Sequence, residues 1–96
     1  MFVLITYDVN TEDASGRKRL RQVAKNCEKY GKRVQCSVFE CDLEPAQCKI
    51  LQESLKEIID AGKDSLRFYY LGNRYKTKIE HFGIKKGLEA DEILIL

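Results

Sequence analysis

Apolar residues recur along this chain first at strand spacing and then at helix spacing, and the switches between the two mark its elements. Phe2 to Tyr7 (FVLITY) is a β-branched and aromatic run of strand length. It is apolar on both faces apart from Thr6, as a strand inside a sheet should be. Asp8 to Thr11 leaves that strand. Thr11, Glu12, Asp13 and Ser15 supply acidic and capping residues, so a helix is expected from about Ser15 to Tyr30. Leu20, Val23, Ala24, Cys27 and Tyr30 form its apolar stripe, and Gly31 is expected to cap its end. Arg33 to Cys41 alternates again, with Val34, Cys36 and Val38 on one face and Gln35, Ser37, Phe39 and Cys41 on the other. It reads as one strand or as two short ones breaking near Cys36-Ser37, because no Gly or Pro marks a turn.

Pro45 opens a second helix that runs to about Asp60, with Leu51, Leu55, Ile58 and Ile59 inward. Ser65 to Leu71 is a further strand, with Leu66, Phe68 and Tyr70 on one face and Arg67 and Tyr69 on the other. Tyr75 to Phe82 reads as an edge strand guarded by lysines. The apolar run Glu92 to Leu96 reads as a last strand that pairs with a sheet edge in this chain or in a partner. If the middle run is a hairpin, the order is βαββαβ, an α+β ferredoxin-like arrangement with two helices on one sheet face. The bare opposite face would then seek a second copy.

The length of 96 residues fits a single domain spanning 1–96. No run approaches the roughly 20 apolar residues of a membrane helix, and the N-terminal run lacks a basic leader and cleavage site, so neither membrane nor export is expected. The four cysteines, Cys27, Cys36, Cys41 and Cys48, contain no CxxC pair. They read as small buried hydrophobes with reduced thiols, which points to the cytoplasm.

Net charge is only +2, so distribution matters more than the total. Of the cluster Arg17, Lys18, Arg19, Arg21 and Lys25, Arg17, Arg21 and Lys25 share one face of the first helix, with Lys18 beside them; Arg33 follows Lys29 and Lys32. A solvated helix face explains such clusters in most proteins, yet few acidic neighbours follow Asp13, and phosphate contact is an equal reading. Asp8, at the end of the first strand, is the first candidate for chemistry, although position alone favours an ordinary helix-entry aspartate. A single carboxylate is a thin ligand set. A twofold dimer that brought Asp8 and its copy together would supply two, enough for Mg²⁺, or Mn²⁺, with its remaining waters. His81 reads as a surface residue, and Glu40 and Asp42 as strand-end charges. No P-loop, GxGxxG, GxSxG or HExxH occurs.

Taken together, several segments resemble one family. They are Val3 to Val9 (VLITYDV), Gly16 to Leu20 (GRKRL), Tyr30-Gly31-x-Arg33-Val34-Gln35-x-Ser37-Val38-Phe39-Glu40 and Ser65-Leu66-Arg67-Phe68-Tyr69-x-Leu71-Gly72. In order and spacing they resemble the small CRISPR-associated nucleases of spacer acquisition, the Cas-two family. Past Asn73, length and lysine content look like the subtype that accompanies a compact type I system. The resemblance implies that the middle run splits into two strands, that the fold is a ferredoxin-like homodimer, and that segment 73–96 packs on the partner protomer. It implies a catalytic, metal-binding role for Asp8. It also implies nucleic-acid handling by Tyr7, Arg17, Arg19, Arg33, Ser37 and Phe39, to which the helix pattern adds Arg21. The function implied is Mg²⁺-dependent endonucleolytic cleavage of duplex DNA or single-stranded RNA. The alternative is a non-catalytic DNA clamp between dimers of the CRISPR integrase. A small-ligand regulatory domain is disfavoured, since no glycine-rich effector loop is present.

Overall fold

A computed structural model describes residues 1–74 and 77–84. Strand β1 (Phe2–Asp8) is the apolar N-terminal run, and the chain is built around it. It is followed by α1 (Ala14–Glu28), β2 (Gly31–Gln35), β3 (Val38–Asp42), α2 (Pro45–Ile58) and β4 (Ser65–Gly72). The sheet order is β2-β3-β1-β4, with every neighbouring pair antiparallel. This is the ferredoxin-like α+β order. The middle run splits at Cys36-Ser37, so the two-strand reading holds.

Alternation along β1 decides which face is covered. Val3, Ile5 and Tyr7 point to the helices and are buried, while Leu4, Thr6 and Asp8 point to the opposite face. The register sets Val3 beside Cys41 and Ile5 between Phe39 and Phe68. Val23 and Cys27 of α1 and Cys48, Leu51 and Leu55 of α2 close this one core. Burial pushes the Cys27 and Cys41 thiols up to about 12, so both stay protonated and act as small hydrophobes.

Several expectations need correction. Helix α1 ends at Glu28, and its end is closed by the Lys29 N–H donating to the Asn26 carbonyl at 3.2 Å and the Tyr30 N–H donating to the Cys27 carbonyl at 3.0 Å. No left-handed cap is needed there, so Gly31 is not the C-cap. It opens β2 opposite Cys41, where an added Cβ would lie 2.3 Å from the Glu40 carbonyl oxygen and 2.4 Å from Cys41 Sγ. Cys36 is exposed rather than buried, because the hairpin turn removes it from the strand alternation. Thr77 to Phe82 forms no strand. Ile79, Glu80, His81 and Ile84 instead line a hollow of about 510 Å³ with Val34, Gln35 and Glu40. Tyr75, Lys76, Lys85, Lys86 and the apolar run Glu92 to Leu96 lie outside the described residues, and with them the expected last strand.

An ion pair ties α1 to the residue that precedes β4. Arg19 on α1 donates from Nε to Asp64 Oδ2 at 2.8 Å and from Nη2 to Oδ1 at 3.3 Å. The Asp64 side chain is 0% exposed. The Arg19 guanidinium and two backbone N–H groups hold its pKa down at about 2.

Two outcomes follow for stability. Gly31→Ala should lower the unfolding free energy by about 1–3 kcal/mol, the usual cost of overpacking, read as a lower urea midpoint at constant m. Asp64 has a folded pKa below its unfolded value, so its contribution is complete above about pH 4 and is lost as pH falls towards 2. Asp64→Asn should therefore lower the urea midpoint at neutral pH, and the further fall of that midpoint between about pH 4 and pH 2, followed by circular dichroism, should be smaller than in wild type.

Candidate nucleic-acid interface

The C-terminal end of β1 is where the candidate residues meet, and alternation divides them between two sides. Tyr7 faces the helices and Asp8 the opposite sheet face, which neither helix covers. Asp8 is exposed, pairs in register with Ser65, and its carboxylate has no hydrogen-bond or ion-pair partner among the described residues. It is therefore an exposed carboxylate fixed at the end of the central strand.

On the helix side a groove of about 320 Å³ runs between α1 and the β2–β3 turn. It is lined by Tyr7, Leu20, Arg21, Ala24, Arg33, Cys36 and Ser37. Its floor is apolar, from Leu20 and Ala24, and its two rims carry Arg21 and Arg33. The turn is tied down from β1: the Tyr7 N–H donates to the Ser37 carbonyl at 3.1 Å, and the Tyr7 hydroxyl donates to the Cys36 carbonyl at 3.3 Å. Burial pushes the Tyr7 phenol up to about 12, so it remains a donor across the neutral range. Arg33 stacks over the Phe39 ring at 5.2 Å and pairs with Glu28 at 3.1 Å. Both contacts order the guanidinium while leaving it at the groove edge.

Four of the sequence-derived candidates, Tyr7, Arg21, Arg33 and Ser37, thus share one groove. Arg17 is exposed on α1, with Nη1 donating to the Thr11 carbonyl at 3.3 Å. Two candidates sit differently from expectation. Phe39 is 0% exposed, stacked on Tyr7 at 6.2 Å between centroids, so it supports Arg33 from the core and is unavailable to stack on a base. Arg19 is committed to Asp64 and to Ser15 Oγ at 3.1 Å, rather than displayed to solvent. Its place two residues after Arg17 gave no sign of this. Asp64 itself was missed, since a polar residue after a helix end reads as loop; its partners Asn10 and Arg19 stand 54 and 45 positions away.

No group of three His, Cys, Asp or Glu among the described residues could hold a metal ion within one chain. A hard cation at Asp8 would take its remaining ligands from water and from another molecule. The chemistry of the donor fits such an ion, because Mg²⁺ retains several waters and commonly takes only one or two carboxylates.

Comparison with known proteins agrees with this fold. The family profile described as "CRISPR associated protein Cas2" matches residues 1–79. A CRISPR-associated endonuclease Cas2 of Halalkalibacterium halodurans is 55% identical over 95 residues, covering 99% of each chain. A CRISPR-associated endoribonuclease Cas2 of Chlorobaculum tepidum is 51% identical over the full length of both. The crystal structure of Streptococcus pyogenes Cas2 at pH 6.5 superposes with a TM-score of 0.76 at 54% identity, covering 86% of this chain and all of that one. With a family match over residues 1–79, relatives about half identical over nearly the whole chain and a shared fold, this chain belongs to the Cas2 family of CRISPR-associated proteins.

Proposed function

We propose that this chain is a metal-dependent endonuclease that hydrolyses phosphodiester bonds of double-stranded DNA or single-stranded RNA during CRISPR spacer acquisition, working as a cytoplasmic homodimer. The observation that carries the reading is Asp8, an exposed carboxylate without a partner among the described residues, at the end of the central strand. Relatives named as endonuclease and endoribonuclease support it.

The sheet face that the helices leave uncovered supports the dimer. Asp8 lies on that face, so a second copy packed there brings a second Asp8 towards the first and supplies the carboxylate one chain lacks. Phe82 and Ile84, 86% and 85% exposed, suit the expected packing of segment 73–96 on that copy. The two Asp8 carboxylates would hold Mg²⁺ or Mn²⁺; such an ion, when bound, supplies an acidified water and charge neutralisation at the phosphate. The chain's own part is binding and orientation. Arg21 and Arg33, with Arg17 beside them, attract the phosphate backbone. The Tyr7 and Ser37 groups hold the turn that presents Arg33. Contacts of this kind fix register without reading bases, which suits a substrate of any sequence.

The thin ligand set favours a second reading, a non-catalytic clamp that holds duplex DNA between dimers of the CRISPR integrase. It needs the arginines and not Asp8.

One experiment separates these readings, and a second tests the arginines that both require. Asp8→Asn should abolish Mg²⁺-dependent cleavage of labelled duplex and RNA while leaving duplex affinity close to wild type. Cleavage by neither protein, with salt-sensitive binding by both, would favour the clamp. For the arginines, Arg21→Gln and Arg33→Gln should each flatten the slope of log K against log salt by about 0.9, one released counterion apiece. An unchanged slope would show that the groove rim does not meet phosphate.

A further inference from the structure

The loop that leaves β1 is gripped from two sides. On one side stands the Asp64 carboxylate, which accepts four hydrogen bonds. Two come from Arg19, one from the Asn10 N–H at 3.0 Å and one from the Asp60 N–H at 2.8 Å. On the other side stands Gly16, where an added Cβ would lie 1.8 Å from the Asn10 carbonyl oxygen and 3.3 Å from Thr11 Cα. Between them the loop is also closed internally. Asn10 Oδ1 accepts from the Glu12 N–H at 3.0 Å, and Asp13 Oδ1 accepts from the Gly16 N–H at 2.8 Å. Asp8 stands two residues before Asn10 and opposite Ser65, the residue after Asp64. One buried carboxylate therefore anchors both segments that flank Asp8.

Stability alone is a poor reason for this device. Two charges withdrawn from water gain little over well-packed apolar groups. A two-pronged guanidinium–carboxylate pair adds fixed geometry instead. We propose that Arg19 and Asp64 are positioning residues which, with Gly16 packed against the loop, hold the Asn10–Asp13 loop and through it the Asp8 carboxylate, and that Arg19 makes no contact with nucleic acid. The part concerning Asp8 rests on its role as the functional carboxylate proposed above; the grip on the loop does not.

The test uses the full chain with Asp64→Asn, Arg19→Gln and Gly16→Ala, beside Arg21→Gln and a core variant, Leu55→Ala, as controls. Three quantities are read: amide hydrogen exchange over residues 9–13, the salt slope of duplex binding, and kcat and KM for Mg²⁺-dependent cleavage. In the three loop variants exchange over 9–13 should rise at least about tenfold above any global change, with the salt slope as in wild type. In the same variants kcat should fall by about tenfold to a hundredfold at unchanged KM, since misplacement by about 1 Å is enough for a loss of that order. Arg21→Gln should do the opposite, flattening the slope and leaving loop exchange alone. A flatter slope in Arg19→Gln would make Arg19 a phosphate ligand and overturn the proposal. So would unchanged loop exchange in Asp64→Asn, or an equal fall in kcat in Leu55→Ala. Should Asp64→Asn fail to fold, Gly16→Ala removes no charge and carries the same readouts. If wild type does not cleave, the nuclease reading falls and the part concerning Asp8 falls with it, while exchange and slope still decide the grip on the loop.

Discussion

Strand β1 is paired along both edges, with β3 on one side and β4 on the other, and its helix-facing residues Val3 and Ile5 are fully buried. Everything of interest at the candidate site hangs from its far end. A strand held on two sides cannot slip by one residue without sending Val3, Ile5 and Tyr7 to the uncovered face. The same constraint fixes Tyr7 towards the groove and Asp8 away from it. Adjacent residues thus serve opposite faces of one sheet, the first ordering the β2–β3 turn and the second presenting charge to whatever meets the uncovered side.

The basic residues, uniform on paper, divide by environment. Arg33 is ordered by a ring beneath it and Glu28 beside it, yet stays at an edge. Arg21 lines the opposite rim. Arg19 is withdrawn into a nearly dry pair with Asp64, at 12% and 0% exposure. A guanidinium already neutralised by a buried carboxylate offers little field to a phosphate outside. Counting cationic side chains on α1 therefore overstates the charge available to a polyanion, and the effective surface is smaller and nearer the hairpin turn.

The elements were legible where the period was strong. The FVLITY run, the Leu20–Val23–Cys27 stripe and the Leu51–Leu55 stripe appear as strand and helices, because each buries a face that its spacing already defines. The hairpin was not legible locally, since no Gly or Pro marks the turn at Cys36-Ser37. What fixes the turn is Tyr7, some 30 positions earlier, through the carbonyls of both residues. Gly31 was read as a cap because local rules know glycine for its backbone freedom, whereas here its missing side chain admits Cys41. Asp64 was invisible for a related reason: its role lies wholly in partners brought to it by the fold. Of the site, the residue types and the strand-end aspartate could be read, and the sorting of arginines into displayed and buried could not.

The cysteines give the molecule a property of practical use. Cys27, Cys41 and Cys48 are enclosed in the core, and the first two are held far from thiolate at neutral pH. Cys36 alone is exposed, on the turn that closes the groove. Alkylating reagents need an accessible thiolate. The native chain therefore carries one addressable handle, already placed beside Arg33 and Ser37, where a fluorophore would report occupancy of the groove without any engineered cysteine.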